Sequence, residues 1–291
     1  MNPPQPLSDL GPDTAVVAVP SKGRLREECL SLLSTAGYPT GMLHGGGSLA
    51  KSNGLAFIEM RPRDAAAAFA AGQLDAAFLA TDIVMEHELE DIPATPLGFS
   101  RSTLVLASRD DDGRTRAEDL SGAVVATHLP GLTERFFADL GTDVTVVPMG
   151  GSLEGVCAAG LADAIVDLRE TGTSLATNRL RVLAEIRDCQ ALFLGRAGVS
   201  ALDDVQVRLE AVLAARAQRY VMLHIPSDRM GDLQELFPGL ASPTVLPLAG
   251  REDLVAVHLV VPAVQLWQRL SDLRAMGATG IVALEPQALL R

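Results

Sequence analysis

A five-residue pattern, Gly-x-x-Asp-Ala, occurs twice in this 291-residue chain, with its copies starting 88 residues apart. The first copy runs from Gly72 to Ala76 and the second from Gly160 to Ala164, each after an Ala-rich stretch and before a short apolar run. A glycine that ends a helix, followed by a turn into a buried strand, explains both copies locally. The repeat therefore predicts two similar α/β lobes facing a cleft, where ligands usually bind.

Predicted strands and helices alternate through the first part of the chain. Apolar runs at 14–20, 55–60 and 75–80 predict strands, and Arg63–Ala71 predicts a helix. This alternation is typical of a parallel α/β sheet. The polar turn Ser21–Leu25 lies between a strand and a helix, where the N-terminal end of the helix favours anions.

Breaks in these patterns divide the chain into three predicted parts. Lobe I covers residues 1–107 and regains residues 189–205, and lobe II covers residues 108–188. Residues 206–291 change to helices on a small antiparallel sheet, an order typical of a ferredoxin-like domain.

Composition excludes several classes of function. The formal net charge is −12, and only Lys22 and Lys51 are lysines among 24 basic residues, which argues against nucleic acid and membrane as partners. Neither lysine follows a glycine, so the chain has no Walker A loop. The sequence contains no run of 18 apolar residues, so no transmembrane helix is predicted. Three scattered cysteines without a CxxC motif favour free thiols and a cytoplasmic location.

The segment from Glu154 to Leu175 concentrates residues that can carry chemistry. Asp167 ends an apolar run, and four residues later Thr171–Leu175 forms a turn rich in hydroxyl groups that opens a helix. Glycine lets a phosphate approach the backbone, and hydroxyl and N–H groups can bind it, which places Asp167 beside a ribose diol or Mg²⁺. An ordinary capped helix after a strand gives the same spacing, so the pattern alone leaves both interpretations open.

This segment resembles the signature of the ATP phosphoribosyltransferase family, which begins histidine biosynthesis. Ser174 takes the place of the usual threonine and keeps its hydroxyl group. Stretches at 20–25 and 150–154 extend the resemblance, and the stretch at 220–224 resembles the regulatory domain of the long form. The signature positions that match are Glu154, Gly160, Ala162, Ile165, Asp167, Thr171, Gly172 and Leu175.

The resemblance implies a fold and a reaction. The fold is α/β, with two periplasmic-binding-protein-like lobes around a cleft and a C-terminal ferredoxin-like (ACT-like) α+β domain. In the reaction N1 of ATP displaces pyrophosphate from C1′ of 5-phosphoribosyl 1-diphosphate with Mg²⁺ as cofactor, giving phosphoribosyl-ATP. The resemblance also implies a homo-dimer or hexamer and histidine as an effector.

The resemblance further implies roles for individual residues. Glu154, Asp163 and Asp167 are the expected catalytic carboxylates, and Glu154 and Asp167 the expected Mg²⁺ ligands. Asp167 also joins Thr171, Gly172, Thr173, Ser174 and Leu175 in the expected phosphoribosyl-diphosphate site. The ATP side is expected to use Lys22, Gly23, Arg24, Arg61 and Asp82. The effector is expected at Leu240, Ser242 and Thr244.

Some positions depart from the family pattern. Ser48 stands where an arginine is usual, Ala77 and Ala80 where glycines are usual, and Leu129 replaces a tyrosine. These departures predict an altered ATP pocket. They leave open a paralogue with the same reaction in purine-derived nucleoside metabolism, a non-catalytic regulatory paralogue and a binding-only protein. His128, His224 and His258 are predicted to be structural.

Overall fold

The computed structural model describes Gly11, residues 14–238 and residues 243–290. These residues divide into two compact units. The first unit contains residues up to Ser34 together with Tyr38–Asp204, and the second contains Thr35–Gly37 and the chain from Val205 onward. The expected effector residues Leu240 and Ser242 lie outside the described residues, whereas Thr244 lies within them.

The strands form three sheets. In the described chain they are β1 (Ala15–Pro20), β2 (Leu49–Ser52), β3 (Leu55–Met60), β4 (Ala76–Ala80), β5 (Ala94–Pro96), β6 (Ser102–Arg109), β7 (Val124–Thr127), β8 (Thr145–Pro148), β9 (Ala164–Arg169), β10 (Leu180–Cys189), β11 (Ala191–Gly195), β12 (Gln218–Pro226), β13 (Thr244–Leu248), β14 (Arg251–Pro262) and β15 (Thr279–Leu284).

The longest described helix begins at Ser200, and Leu202 already lies on its buried face, which continues through Val205 and Leu209. The described α-helices are α1 (Gly23–Thr35), α2 (Gly41–His44), α3 (Pro62–Ala70), α4 (Thr81–Glu86), α5 (Pro130–Asp139), α6 (Leu153–Ala158), α7 (Thr173–Thr177), α8 (Ser200–Arg216), α9 (Met230–Leu236) and α10 (Ala263–Ala275).

The lobe I sheet has six strands in the order β2-β3-β1-β4-β11-β5. Strand β1 pairs in parallel with β3 and β4, which confirms the predicted parallel arrangement at the centre of the sheet. The arrangement is mixed toward the edges, since β2 runs antiparallel to β3, and β11 runs antiparallel to both β4 and β5.

The lobe II sheet has five strands in the order β10-β6-β9-β7-β8. Strand β7 is parallel to β8 and β9, and β6 runs antiparallel between β9 and β10. The assignment of strand 104–107 to lobe I is therefore wrong. Both hydrogen-bonded neighbours of β6 belong to lobe II, so its backbone N–H and C=O groups are satisfied only in this sheet.

The two copies of the repeated pattern end their helices in the same way. Gly72 follows α3 and Gly160 follows α6, with φ angles of 79° and 76°. This left-handed conformation favours glycine because a Cβ atom would be strained there. The predicted helix ends are thus confirmed in both lobes.

The aspartates of the two copies make equivalent hydrogen bonds to a neighbouring parallel strand. The N–H of Val16 donates to Asp75 Oδ2 at 2.7 Å, and the N–H of Val124 donates to Asp163 Oδ2 at 2.9 Å. In return, the N–H of Asp75 donates to the carbonyl of Val16 at 2.9 Å, and that of Asp163 to the carbonyl of Val124 at 2.8 Å. Each aspartate therefore joins the incoming strand to its neighbour.

The second unit is a four-stranded antiparallel sheet in the order β13-β14-β12-β15. One face of the sheet packs against helices, where Val221, Leu223, Val257 and Leu259 share a core with Leu266 of α10. This arrangement confirms the predicted ferredoxin-like α+β fold.

Replacing Asp75 or Asp163 by alanine is expected to lower the free energy of unfolding by about 1–3 kcal/mol, because a backbone N–H loses its acceptor. Urea unfolding of each variant measures this change. The exposed Asp111 provides the control, and Asp111→Ala is expected to change stability by less than about 0.5 kcal/mol.

Acidification should reduce the effect of Asp163→Ala. The N–H of Val124 lowers the pKa of Asp163, so its stabilisation is present above the unfolded-state pKa and disappears as the pH falls through the folded-state pKa. If both alanine variants have the wild-type free energy of unfolding at neutral pH, the stabilising role of the hydrogen bonds that Asp75 and Asp163 make with the neighbouring strand is contradicted.

Candidate active site

The predicted phosphate turn follows the carboxyl end of β9. Gly172 has a φ of 80° and lets the chain turn into α7. The hydroxyl oxygens of Thr171 and Thr173 lie 3.0 Å apart, and both side chains are exposed, as is that of Ser174. Leu175 is buried in the lobe II core, so it anchors the turn while the three hydroxyl groups face outward.

Glu154 lies beside this turn although it is 20 residues earlier in the chain. Its carboxylate accepts hydrogen bonds from the hydroxyl groups of Ser174 and Ser152, the second at 3.2 Å. The hydrogen bond from Ser174 is the main reason that the pKa of Glu154 is lowered. Glu154 is therefore a negatively charged group at the edge of the hydroxyl-rich turn.

Asp167 lies close to the carboxyl end of β9 and is partly buried. Its Oδ1 accepts the N–H of Leu168 at 2.7 Å. Burial raises the pKa of Asp167, the Leu168 N–H and His128 oppose that shift, and Glu154 adds to it. Asp167, Glu154 and His128 thus interact electrostatically at one edge of lobe II.

His128 is a site residue that the sequence analysis placed among structural histidines. It directly follows β7, the parallel neighbour of β9, and carboxyl ends of parallel strands share one edge of a sheet. It acts electrostatically on both Glu154 and Asp167. The sequence signal that could have identified His128 as a site residue is its position just after the apolar run 123–126.

Asp163 lies at the opposite end of β9 from this group. Its Oδ2 accepts the Val124 N–H, and its Oδ1 pairs with Arg114 Nη2 at 3.2 Å. Asp163 and Asp167 are four residues apart, and a strand rises about 3.3 Å per residue. The two residues are therefore separated by more than the length of a side chain. The structure therefore gives Asp163 a bridging role and leaves Glu154 and Asp167 as the carboxylates beside the turn.

The predicted ATP-side residues lie in lobe I. Gly23 begins α1, and Arg24 in its first turn reaches across to lobe II, where Nη1 lies 2.9 Å from Oε2 of Glu170. Glu170 immediately precedes the phosphate turn. Lys22 and Arg61 are exposed, and their side chains make no hydrogen bond or ion pair with another described residue.

Asp82 occupies a buried position in the first turn of α4. Burial raises its pKa, Arg63 opposes this shift, and the charge of Asp167 adds to it. Lobe I thus contributes a buried carboxylate that interacts with the lobe II site.

The chain crosses between the lobes twice, and the two crossings are hydrogen-bonded to each other. The N–H of Ala191 donates to the carbonyl of Phe99 at 3.0 Å, and the N–H of Leu97 donates to the carbonyl of Ala191 at 3.0 Å. The N–H and hydroxyl of Thr81, at the start of α4, donate to the carbonyl of Gln190 and tie the second crossing to lobe I. A cavity of about 400 Å³ adjoins these crossings, and Arg169, Glu170 and Gln190 line it. Burial raises the pKa of nearby Cys189 to about 12, which makes its thiol a poor nucleophile.

The departures from the family pattern have different structural settings. Ala77 is fully buried in the core. Leu129 also packs in the core. Ala80 is partly exposed at the end of β4, and Ser48 is exposed just before β2. Only these two departures remain near accessible surface.

The carboxylates do not form a cage for a resident metal ion. Within the described residues, no group of three or more His, Cys, Asp or Glu side chains could hold a metal. Mg²⁺ usually keeps several waters and binds one or two carboxylates together with substrate phosphates. The two carboxylates of Glu154 and Asp167 therefore fit Mg²⁺ that arrives with a diphosphate.

No helix among the described residues is long and apolar enough to cross a membrane.

Comparisons with known proteins agree with this geometry. The chain matches the family model HisG: ATP phosphoribosyltransferase over residues 61–215 and the HisG C-terminal domain over 215–286. Proteins named ATP phosphoribosyltransferase include one from Gemmatimonas aurantiaca, 36% identical over 289 residues, and one from Methanococcoides burtonii, 32% identical over 283 residues. Both alignments cover 94% of this chain and 99% of the relative.

A solved structure supports the same relationship. The ATP phosphoribosyl transferase (HisG:HisZ) complex from Thermotoga maritima is 27% identical with a TM-score of 0.57, covering 68% of this chain and 99% of that chain. The fold, the site and these matches define an enzyme that transfers a phosphoribosyl group. The chain belongs to the ATP phosphoribosyltransferase family, which condenses ATP with 5-phosphoribosyl 1-diphosphate in the first step of histidine biosynthesis.

Arg24 and Glu170 should have opposite effects on substrate binding. Arg24→Gln removes a cation and is expected to raise the KM for one of the two substrates about tenfold or more. Glu170→Gln frees Arg24 from its ion pair and should lower the KM for the same substrate. Steady-state kinetics with each substrate varied in turn measure both changes. Stability should change by at most about 1 kcal/mol in either variant, because both side chains are about half exposed.

Arg229→Gln is the matched control, since Arg229 is an equally exposed arginine paired with Asp232 at 2.8 Å in the second unit. It should leave both KM values unchanged. Equal KM values in wild type and Arg24→Gln would exclude a substrate-binding role for Arg24.

Proposed function

We propose that lobe II binds 5-phosphoribosyl 1-diphosphate at the edge formed by the turn, Glu154 and Asp167. The exposed hydroxyl groups of Thr171, Thr173 and Ser174 and the turn's backbone N–H groups bind the 5′-phosphate. Asp167 accepts hydrogen bonds from the ribose hydroxyl groups. The observation that carries this proposal is the meeting of Glu154 with Ser174 of the turn, inside the stretch that matches the family model.

ATP binds on the lobe I side in this proposal. Lys22 and Arg61 are exposed cations without side-chain partners among the described residues, and Arg24 already extends toward the phosphate turn. Binding of the triphosphate depends strongly on these three residues, because the chain has only two lysines and a net charge of −12. They neutralise the triphosphate while the adenine ring faces lobe II.

The reaction requires alignment more than a protein nucleophile. N1 of ATP forms a bond to C1′ as the bond from C1′ to the diphosphate oxygen breaks, and the electron pair leaves with the diphosphate. Positive charge develops on the ribose during this exchange. The ionised Glu154 and the partly buried Asp167 supply fixed negative charge beside it, and closure of the two lobes aligns the reactants.

Mg²⁺ enters this proposal as part of the substrate. Glu154 and Asp167 would hold the ion beside the turn, and it would supply positive charge that offsets the leaving diphosphate. The chain's own contribution is to orient the ribose and the phosphate turn around that complex.

The second unit acts as a regulatory domain in this proposal. It matches the HisG C-terminal domain, and Thr244, the described member of the expected effector site, is exposed at the start of β13. We propose histidine as its effector and a homo-oligomer as the working form. Inhibition of the full chain by added histidine would support the effector assignment.

The direct test mixes the full chain with ATP, 5-phosphoribosyl 1-diphosphate and Mg²⁺. Pyrophosphate and a new nucleotide chromophore should form together in equal amounts. Binding of both substrates without either product would reject catalysis.

Gly172→Val tests the phosphate turn. It is expected to lower kcat/KM for 5-phosphoribosyl 1-diphosphate at least 100-fold, because its side chain crowds the phosphate at a close backbone approach. Gly160→Val is the matched control, since Gly160 has a similar φ of 76° at the opposite end of β9. Both variants share the backbone strain, so an equal loss of activity would argue against a phosphate site at Gly172.

A further inference from the structure

Among the carboxylates that the structure describes, Asp82 is the one with an oxygen that is buried without a partner. Only 6% of the residue is exposed. Its Oδ1 makes no hydrogen bond with any described residue, while the carboxyl group accepts the N–H groups of Asp82 itself and Ile83. Burying an unsatisfied polar atom costs folding free energy, so a ligand that donates a hydrogen bond here would relieve that cost.

The surroundings of Asp82 place it where the lobes meet. Helix α4 packs against α5 and β10 of lobe II. The titratable and charged groups that act on Asp82 from the packed elements are Arg63 of α3, Asp167 of β9 and Cys189 of β10. Asp82 is thus the lobe I carboxylate that interacts with the proposed ribose-binding carboxylate of lobe II.

We propose that Asp82 accepts the proton that the adenine amino group loses when N1 of ATP attacks C1′. The inference rests on the proposed function. In this step the N1–C1′ bond forms and the C1′–oxygen bond to the diphosphate breaks, leaving the adenine positively charged. The N6 amino group then transfers one proton to Oδ1 of Asp82, which gives a neutral adenine and a protonated carboxyl group.

Two properties make Asp82 the best proton acceptor among the nearby groups. One oxygen of Asp82 has no hydrogen-bond partner among the described residues, whereas Asp167 is proposed to hold the ribose and accepts the Leu168 N–H. Burial also raises the pKa of Asp82, which makes its carboxylate a stronger proton acceptor than that of an exposed aspartate. Cys189, with a pKa of about 12, is a thiol at neutral pH.

The experiment compares Asp82→Asn with Asp64→Asn in the full-length enzyme. The amide introduced by Asp82→Asn keeps the shape of the side chain but cannot take up the proton. Asp64 is the matched control, because it is an exposed aspartate in the first turn of another lobe I helix. The pH profile of kcat/KM, the KM for ATP and thermal unfolding are measured for both variants and wild type.

Asp82→Asn should lower kcat by about 100-fold or more, in the range of general-base contributions, while KM for ATP changes less than about threefold. In wild type kcat/KM should fall as the pH drops through the pKa of Asp82, and this acidic limb should be absent in Asp82→Asn. The unfolding temperature should stay equal or rise, since a buried charge is removed. Asp64→Asn should match wild type in every measurement.

A raised KM with unchanged kcat, or an acidic limb that persists in Asp82→Asn, would overturn the proposal. If Asp82→Asn does not fold, Asp82→Ala with added formate replaces it. Restored turnover supports a proton acceptor at this position, and folded but unrestored protein overturns it. Wild-type enzyme that makes no phosphoribosyl-ATP would instead reject the proposed function itself.

Discussion

The two hydrogen-bonded crossings between the lobes are the constraint on which the first unit depends. One crossing passes through Phe99 and the other through Gln190, and backbone hydrogen bonds of Ala191 with Phe99 and Leu97 join them. The second crossing returns the chain to lobe I as β11, which pairs with β4 and sets the position of α4. The joined crossings therefore bring Asp82 of lobe I and Asp167 of lobe II into one electrostatic environment.

In the proposed site, an acidic chain with two lysines acts on polyphosphates because most of the binding groups carry no formal charge. There, backbone N–H groups and hydroxyl groups of the turn at 171–175, together with Mg²⁺ bound to the substrate, would replace a basic surface. Because few cations surround the proposed site, its carboxylates can supply negative charge for catalysis. Glu154 is held ionised by a hydroxyl hydrogen bond, and Asp167 is partly withdrawn from water.

The repeated Gly-x-x-Asp-Ala pattern shows that the shape of a short motif can be predicted from the sequence while the contacts of its aspartate cannot. The helix ends and the strands that follow were evident from glycine and the apolar runs. The family resemblance implied a catalytic role for Asp163, and the structure shows that Asp163 and Asp75 make the same pair of bonds to a parallel strand. Equal local geometry in both lobes identifies a structural device of the fold.

The central strands, the glycine turn at 171–175 and the family could be predicted from the sequence, because they depend on local apolar periodicity, glycine conformation and fixed spacing. Tertiary contacts were needed to assign β6 to lobe II, to bring His128 into electrostatic interaction with Glu154 and Asp167, and to bury Ala77 in the core. They also bury Asp82, one of whose oxygens has no partner among the described residues. Strand pairing, burial and charge proximity arise between segments far apart in the chain, so local patterns carry no record of them.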